Sequence, residues 1–397
     1  PYTSVNESGY LRGMATTLKV HRHITFSPFY SETMRDATMG TDEMPSFSTV
    51  LSAGLHRNEK ELEHRKKVRE RVAGGVIGFM ANSIEAGLVF QGMQYDIPLI
   101  RDPSPYNQFA FQGDRNANLG AFINATVKNV SFFGEAAKTL SHGRGALAGA
   151  LVSLTKELDM SVLCRFYDKD FYPLLGNAFS ENTTSQNETG CYWGFKYRIS
   201  RKYTIASYAD IFRFPWLKFR TYSPSHGNEF LVRFNYTPNR KTNIFVQFRQ
   251  ETKPANIPGN QHTYDLGEAV RKNLSLNFDA EVSRGLKMRT RMQYSRRSFE
   301  GQTSRGLVIL QDVSCSVGRF DFSFRHALFD TDNYENRQYV YEKDLWLAYS
   351  LPAYDGQGIR NYLMASCRFN QRFGLSARAS RTIYRNVSET GSGDQTV

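Results

Sequence analysis

The chain has 397 residues, with 50 Lys and Arg against 38 Asp and Glu for a net charge of +12, 14% aromatic residues and 22% charged ones. So many aromatics at so low a charge density exclude a disordered chain, and this length implies two or three domains unless one β architecture absorbs all of it. The long charge-free stretches, 72–84 and 145–154, fall short of the roughly 18 apolar residues a spanning helix needs, which excludes a helical membrane protein.

The first conspicuous segment is the charge run EKELEHRKKVRER at 59–71, where Arg65, Lys66, Lys67, Arg69 and Arg71 stand close together. It reads as a solvated turn with strand extensions, with a phosphate-binding patch as the other reading. Beyond it the dominant signal has a period of two. Phe230, Val232, Phe234 and Tyr236 interleave with Arg233 and Asn235, and Ile244, Val246 and Phe248 with Gln247, Arg249 and Glu251. At 273–282, Leu274, Leu276, Phe278, Ala280 and Val282 alternate with Asn273, Ser275, Asn277, Asp279 and Glu281. The pattern returns at Met288/Thr290/Met292/Tyr294, at Phe320/Phe322/Phe324 and at Ala365/Cys367/Phe369. It predicts about twenty strands of about nine to twelve residues, longer than the strands of most soluble sheets.

Alternation alone does not separate a soluble sandwich from a membrane barrel, since each strand of either has one dry and one wet face. Loop rhythm does. Between about residues 128 and 341, short turns alternate with longer loops near 139–144, 169–187, 213–227, 253–268, 297–304 and 329–341, as in an outer-membrane barrel. The rhythm falters before about 117 and after about 350. Aromatics gather at strand ends (Phe171-Tyr172, Tyr192-Trp193, Phe212/Phe214/Trp216/Phe219, Tyr334/Tyr339/Tyr341 and Trp346), as two interfacial girdles require. The fold class expected is therefore all-β: one large antiparallel transmembrane β-barrel of the outer-membrane type, about 20 strands, spanning 1–397 as a single domain in the outer membrane of a Gram-negative bacterium, with membrane lipid as its surroundings.

If the apolar face meets lipid, the alternate positions face the lumen, and they include Arg165, Arg198, Arg233, Arg249, Arg289, Arg291, Arg325, Arg368 and Arg378. Glu135, Asp168, Asp210, Glu251, Asp279, Glu281 and Asp321 are available to balance them. One reading is a cross-strand ladder of ion pairs that stiffens the wall. The other is an anion-guiding pore, because excess positive charge against a low-dielectric wall concentrates field on phosphates or carboxylates. Phe245 and Tyr208 offer faces for stacking single-stranded bases, or serve as ordinary packing.

No chemistry-bearing constellation emerges. Asp330-Thr331-Asp332-Asn333 opens like a calcium loop, but Tyr341 stands where the bidentate Glu belongs. His142, His226, His262 and His326 lack metal-ligand spacing, and no nucleophile motif is present. Neither a cofactor nor an enzymatic activity is expected. Cys164, Cys191, Cys315 and Cys367 have no CxxC spacing and read as small apolar residues on strand faces, with a disulfide as the second reading.

Several segments resemble a family: the outer-membrane barrel that follows a periplasmic helix-hairpin-helix region in ComEA-like proteins of the Bacteroidota. They are Pro1–Ser4 with Tyr10–Gly13, Phe26–Ser31, Asp102–Asn107 with Phe111 and Gly113–Asn116, Ser131–Ala136, Phe212–Trp216, Ala327–Asp332, Leu351–Tyr354 and Gly391–Gly393. The resemblance spans nearly the whole chain. It implies an internal fragment, preceded by the helix-hairpin-helix region and early strands and followed by a closing strand, which leaves two open edges. It also implies a DNA conduit or uptake channel, since helix-hairpin-helix modules grip phosphate backbone. No helix-hairpin-helix pattern occurs in these residues, so the DNA link comes from the resemblance alone. Two functions follow. One is a transport barrel that threads single-stranded DNA or another polyanion through a basic lumen. The other is a closed or plugged barrel that anchors a surface or periplasmic partner without transport.

Overall fold

In hydrocarbon a strand survives only if neighbouring strands take up all its backbone N–H and C=O groups, so alternating polarity must resolve into one continuous ladder. A computed structural model describes residues 8–385 and 387, apart from 42, 53, 55, 57, 260–264, 347 and 371. Pro1–Ser4, His262 and Gly391–Gly393 lie outside the described residues.

The chain opens with β1 (Gly13–Ala15), β2 (Leu18–His21), β3 (Ile24–Arg35), β4 (Ala37–Met39) and β5 (Phe47–Val50), followed by the short helix α1 (Glu59–Glu63). Then come β6 (Val68–Ala81), β7 (Ile84–Leu99), β8 (Gly113–Val127), β9 (Val130–Thr139), β10 (Arg144–Ser153), β11 (Leu158–Tyr167) and β12 (Glu188–Arg198). The second half holds β13 (Tyr203–Phe214), β14 (Ser225–Asn239), β15 (Thr242–Asn256), β16 (Leu266–Ser283), β17 (Leu286–Phe299), β18 (Gln302–Val317) and β19 (Phe320–Thr331). It ends with β20 (Gln338–Tyr339), β21 (Ala353–Tyr354), β22 (Gln357–Arg368) and β23 (Gly374–Tyr384).

Twenty-one of these strands make one sheet, while β20 and β21 pair with each other. Consecutive wall strands pair antiparallel from β3 to β6, then in order through β19 to β22 and β23. β1 and β2 lie end to end along β3. The strands run longer than expected, with 18 residues in β16 and 16 in β7 and β18. About ten residues cross the hydrocarbon, so the surplus carries the wall beyond it.

Tight turns close one rim, at 82–83, 128–129, 240–241, 284–285 and 318–319 among others, while 36–67, 100–112, 168–187, 215–224 and 332–356 lie on the other. The alternation therefore continues where the sequence rhythm falters. The connection expected near 297–304 is instead the two-residue turn Glu300-Gly301, with φ of 48° and 74°, a left-handed pair that glycine at the second position makes accessible. The run 59–71 divides into α1, a turn and the start of β6, as a solvated turn with strand extensions does.

Register assigns the faces. Ile77, Phe90, Ile123, Phe132, Trp193, Phe230, Leu276, Phe322 and Leu363 are exposed and share the outward parity, and the inner parity carries the charges. Of the girdle candidates, Phe171, Tyr172, Phe212 and Phe214 are buried instead. Loop 168–187 folds inward over the wall and gives them an apolar environment that strand periodicity does not encode. Phe47, on the β4–β5 hairpin, likewise packs with Val68, Val72, Met93 and Tyr95. Exposed aromatics such as Tyr197 and Tyr203 near the short-turn rim and Tyr30 and Phe166 toward the other fit the girdle role.

Two cysteines also depart from the reading as unpaired apolar residues. Cys164 and Cys191 face each other across β11 and β12 with Cα atoms 4.3 Å apart and form a disulfide, while Cys315 and Cys367 are free. Direct cross-strand opposition places both side chains on one face within bonding reach, and only the register reveals it.

The face assignment makes a direct prediction. Leu276→Arg, on the outward side of β16, should destabilise the barrel in lipid vesicles by about 2–4 kcal/mol, whereas Asn124→Arg, exposed on the inner side of β8 beside Glu85, should be nearly neutral. Denaturant unfolding of both variants checks this, and equal losses would overturn the assignment.

Candidate lumen site

Three main groups of inner-face charges lie on β11 to β23. The first is a ladder in which Asp279, Arg289, Asp312 and Arg325 stand directly opposite one another across β16 to β19. Arg289 Nε donates to Asp279 at 2.5 Å, and Arg325 donates through Nε and Nη2 to both Asp312 oxygens at 2.6 and 2.7 Å. Such two-pronged pairs fix geometry as well as charge.

The second group lies on β11 to β15. Arg165 is buried and donates Nη1 and Nη2 to Asp210 at 2.8 and 3.0 Å and Nε to Glu188. Its guanidinium lies across Gly190, where a Cβ would approach Cζ to 2.7 Å, so this position requires glycine. Glu188 also accepts the Glu181 and Asn182 N–H groups, tying the inward loop to the wall, and Glu181 pairs with Lys253. Burial raises the Glu181 carboxyl, with Lys253 working against it. Arg249 Nε donates to Glu229 at 2.7 Å, and the Tyr208 hydroxyl donates to the same carboxylate. Lys218, in loop 215–224, has Nζ 3.2 Å from the centre of the Phe214 ring, and burial lowers its ammonium to about 8, with Lys253 adding to the effect.

The third group is a strap, residues 332–356, folded against the inner face of β17 to β19, β22 and β23. Glu342 is fully buried and accepts from Arg360 Nε and Nη2 at 2.8 and 2.9 Å, from the Tyr354 hydroxyl at 2.9 Å and from Arg378 Nη2. Burial works to raise its carboxyl, but Arg360, Tyr354 and Arg325 outweigh that and hold it below the usual range. Asp344 pairs with Arg378 at 3.3 Å, Lys343 Nζ donates to Ser314 and Ser323, and Arg325 Nη1 donates to the Tyr341 carbonyl at 2.9 Å. Val308, Leu310, Ala327, Phe329, Val340 and Tyr354 form the apolar underside.

Of the arginines singled out from sequence, Arg165, Arg249, Arg289, Arg325 and Arg378 hold carboxylates. Arg198 and Arg368 lie at the short-turn rim, where Arg198 Nη2 donates to the Lys156 carbonyl at 2.7 Å. Arg233 and Arg291 have no ion pair among the described residues, and the Nε of each is buried without an acceptor. Arg233 rests 3.9 Å from the centre of the Phe245 ring. Asp168 is not an inner-face partner: it lies beyond β11 and accepts the Arg144 N–H at 3.0 Å. Among the described residues no His, Cys, Asp or Glu group could hold a metal ion.

Arg360 and Arg271 were missed, although extending the alternation Ala365/Cys367 back along β22 brings Arg360 to the inner parity. Glu342 carries no periodic signal because it lies in a strap. Arg35 and Glu70, a buried pair on β3 and β6 with Nε–Oε1 at 2.9 Å, sit where the rhythm falters.

An antiparallel sheet of this size, apolar outside and charged inside, is the wall of a Gram-negative outer-membrane β-barrel. No protein-family model and no curated relative matches the sequence. Among solved structures, the FpvAI–pyocin S2 complex aligns at a TM-score of 0.50 and 9% identity over 91% of this chain and 58% of that one. Outer-membrane expressed OmpT of Vibrio cholerae aligns at 0.39 and 11% identity over 92% of this chain and 100% of that one. Pseudomonas aeruginosa OccK11 aligns at 0.38 and 10% identity over 81% and 92%.

Two expectations follow from the geometry. Glu342→Ala leaves Arg360 and Arg378 without their carboxylate and should lower stability by about 3 kcal/mol, exposing the strap to limited proteolysis near Trp346. A strap that stays resistant would show that Glu342 is not its anchor. Lys218 is protonated below about pH 8 and a neutral nucleophile above it, so its acylation rate should reach half-maximum near pH 8, against about 10.4 for an ordinary lysine. Site-resolved mass spectrometry over a pH series reads this directly.

Proposed function

We propose that this chain forms an outer-membrane channel that guides anions, narrowed by its inward loop and strap. The observation that carries the reading is the presence of Arg233 and Arg291 on the inner face with no carboxylate partner among the described residues. A cation left uncompensated beside a low-dielectric wall concentrates anions along the path. Arg165, Arg249, Arg289, Arg325 and Arg378 then serve the wall and its loops, and Arg198 and Arg368 add charge at one mouth. The resemblance to helix-hairpin-helix proteins makes single-stranded DNA the polyanion to try first, and the Arg233 guanidinium, laid on the Phe245 ring, offers a planar cation against which a base can stack.

A second reading, a closed barrel that anchors a surface or periplasmic partner, is favoured by the strap, whose Glu342 is held by two arginines. Neither reading involves catalysis.

Planar-bilayer recording separates the two. The channel should show an anion-selective reversal potential in a salt gradient, and Arg233→Glu with Arg291→Glu should reduce or invert it while leaving the wall's ion pairs in place. Single-stranded DNA should produce blockades that fade at high salt. A folded, heat-modifiable barrel that conducts nothing would remove the channel reading in favour of the anchor.

A further inference from the structure

The outward face of the wall carries a recess that the channel reading does not use. On β8, β9 and β10 the residues Ala121, Ala136 and Ala146 stand side by side facing outward. The adjoining row holds Gly134, Ala148 and the Cys164–Cys191 disulfide. Ile123, Phe166 and Ile211 rise around this low floor, exposed by 51%, 38% and 66%. Together they enclose an apolar groove of about 980 Å³, open along the wall.

One end of the groove is cationic. Arg213 and His226 oppose each other across β13 and β14 and line it directly. Lys138 and Arg144 oppose each other across β9 and β10, each two residues beyond a floor alanine toward the long-loop rim. The nearest compensation is Asp168, 3.9 Å from Arg144 Nε. Lys138, Arg213 and His226 form no ion pair among the described residues, and each faces outward within one residue of the long-loop end of its strand.

An occupant of such a site is long and apolar along the wall and anionic at the long-loop end. In outer-membrane barrels the long loops are extracellular, and the leaflet there is built of phosphorylated glycolipid. We propose that the groove seats an acyl chain of this outer-leaflet glycolipid and that Lys138, Arg144, Arg213 and His226 hold its phosphate. Basic side chains at a membrane surface attract anionic headgroups, and a floor of small side chains lets the chain lie in contact over its length. A two-fold contact between copies would set the same cations against one another, so charge favours the lipid over a second copy.

Native mass spectrometry of the full chain, released from nanodiscs containing bisphosphorylated lipid A, tests this. One lipid should remain bound per chain. Lys138→Gln with Arg213→Gln, both clear of the wall's ion pairs, should weaken retention about tenfold, and Ala146→Leu with Ala148→Leu should abolish it by filling the groove. Heat-modifiable migration confirms that each variant is folded; if the filled variant is not, the glutamine pair decides alone. Equal retention of dephosphorylated lipid A, or unchanged retention in the glutamine pair, overturns the proposal. So does a lipid-free assembly of several chains that the leucine pair dissociates, since the groove would then be an interface between copies.

Discussion

Everything in this protein depends on the requirement that no peptide group be left unpaired in hydrocarbon. A sheet meets it only by running as an unbroken ladder, each strand bonded to the next, which is the order seen from β3 to β23. The ladder sends successive side chains to opposite faces, so a strand of either parity must solve two solvation problems at once. Apolar residues take the lipid side. Charges are left with the inner side, where they find either one another or water.

That confinement explains the form of the inner charge network. Arg165, Arg325 and Arg360 are held by carboxylates approached with two nitrogens or two carboxylates at a time, because a guanidinium removed from water must recover several hydrogen bonds. The carboxylates are placed to serve two purposes. Glu188 neutralises Arg165 and also receives the N–H groups of the inward loop, and Glu342 joins Arg360 and Arg378 to the strap. The same pairs that make the wall rigid thus determine which loops lie inside it. Against this background Arg233 and Arg291, which have no carboxylate partner among the described residues, are departures from local satisfaction, as are the unsatisfied Nε atoms of Arg271 and Arg378, and such departures gather where a protein acts.

The outer face follows a different rule. There the side chains need no polar partner, and what varies is height. Small residues over β8 to β12, with a disulfide among them, lower the surface, and cations sit only toward the long-loop rim. Both faces therefore carry positive charge without local compensation, but at different depths and toward different surroundings.

Period-two patterning, together with the alternation of short turns and long loops, determined from the sequence alone that this is a large antiparallel membrane barrel, since both are read from residues close together in the chain. It placed Arg165, Arg249, Arg289, Arg325 and Arg378 on the charged parity for the same reason. The inner burial of Phe171, Tyr172, Phe212 and Phe214, the anchoring of the strap through Glu342, and the Cys164–Cys191 bond were decided only by the tertiary structure. Each depends on register between strands or on which way a long loop turns. Those are set by pairings between residues far apart in the chain, and local alternation reads the same whichever way they fall.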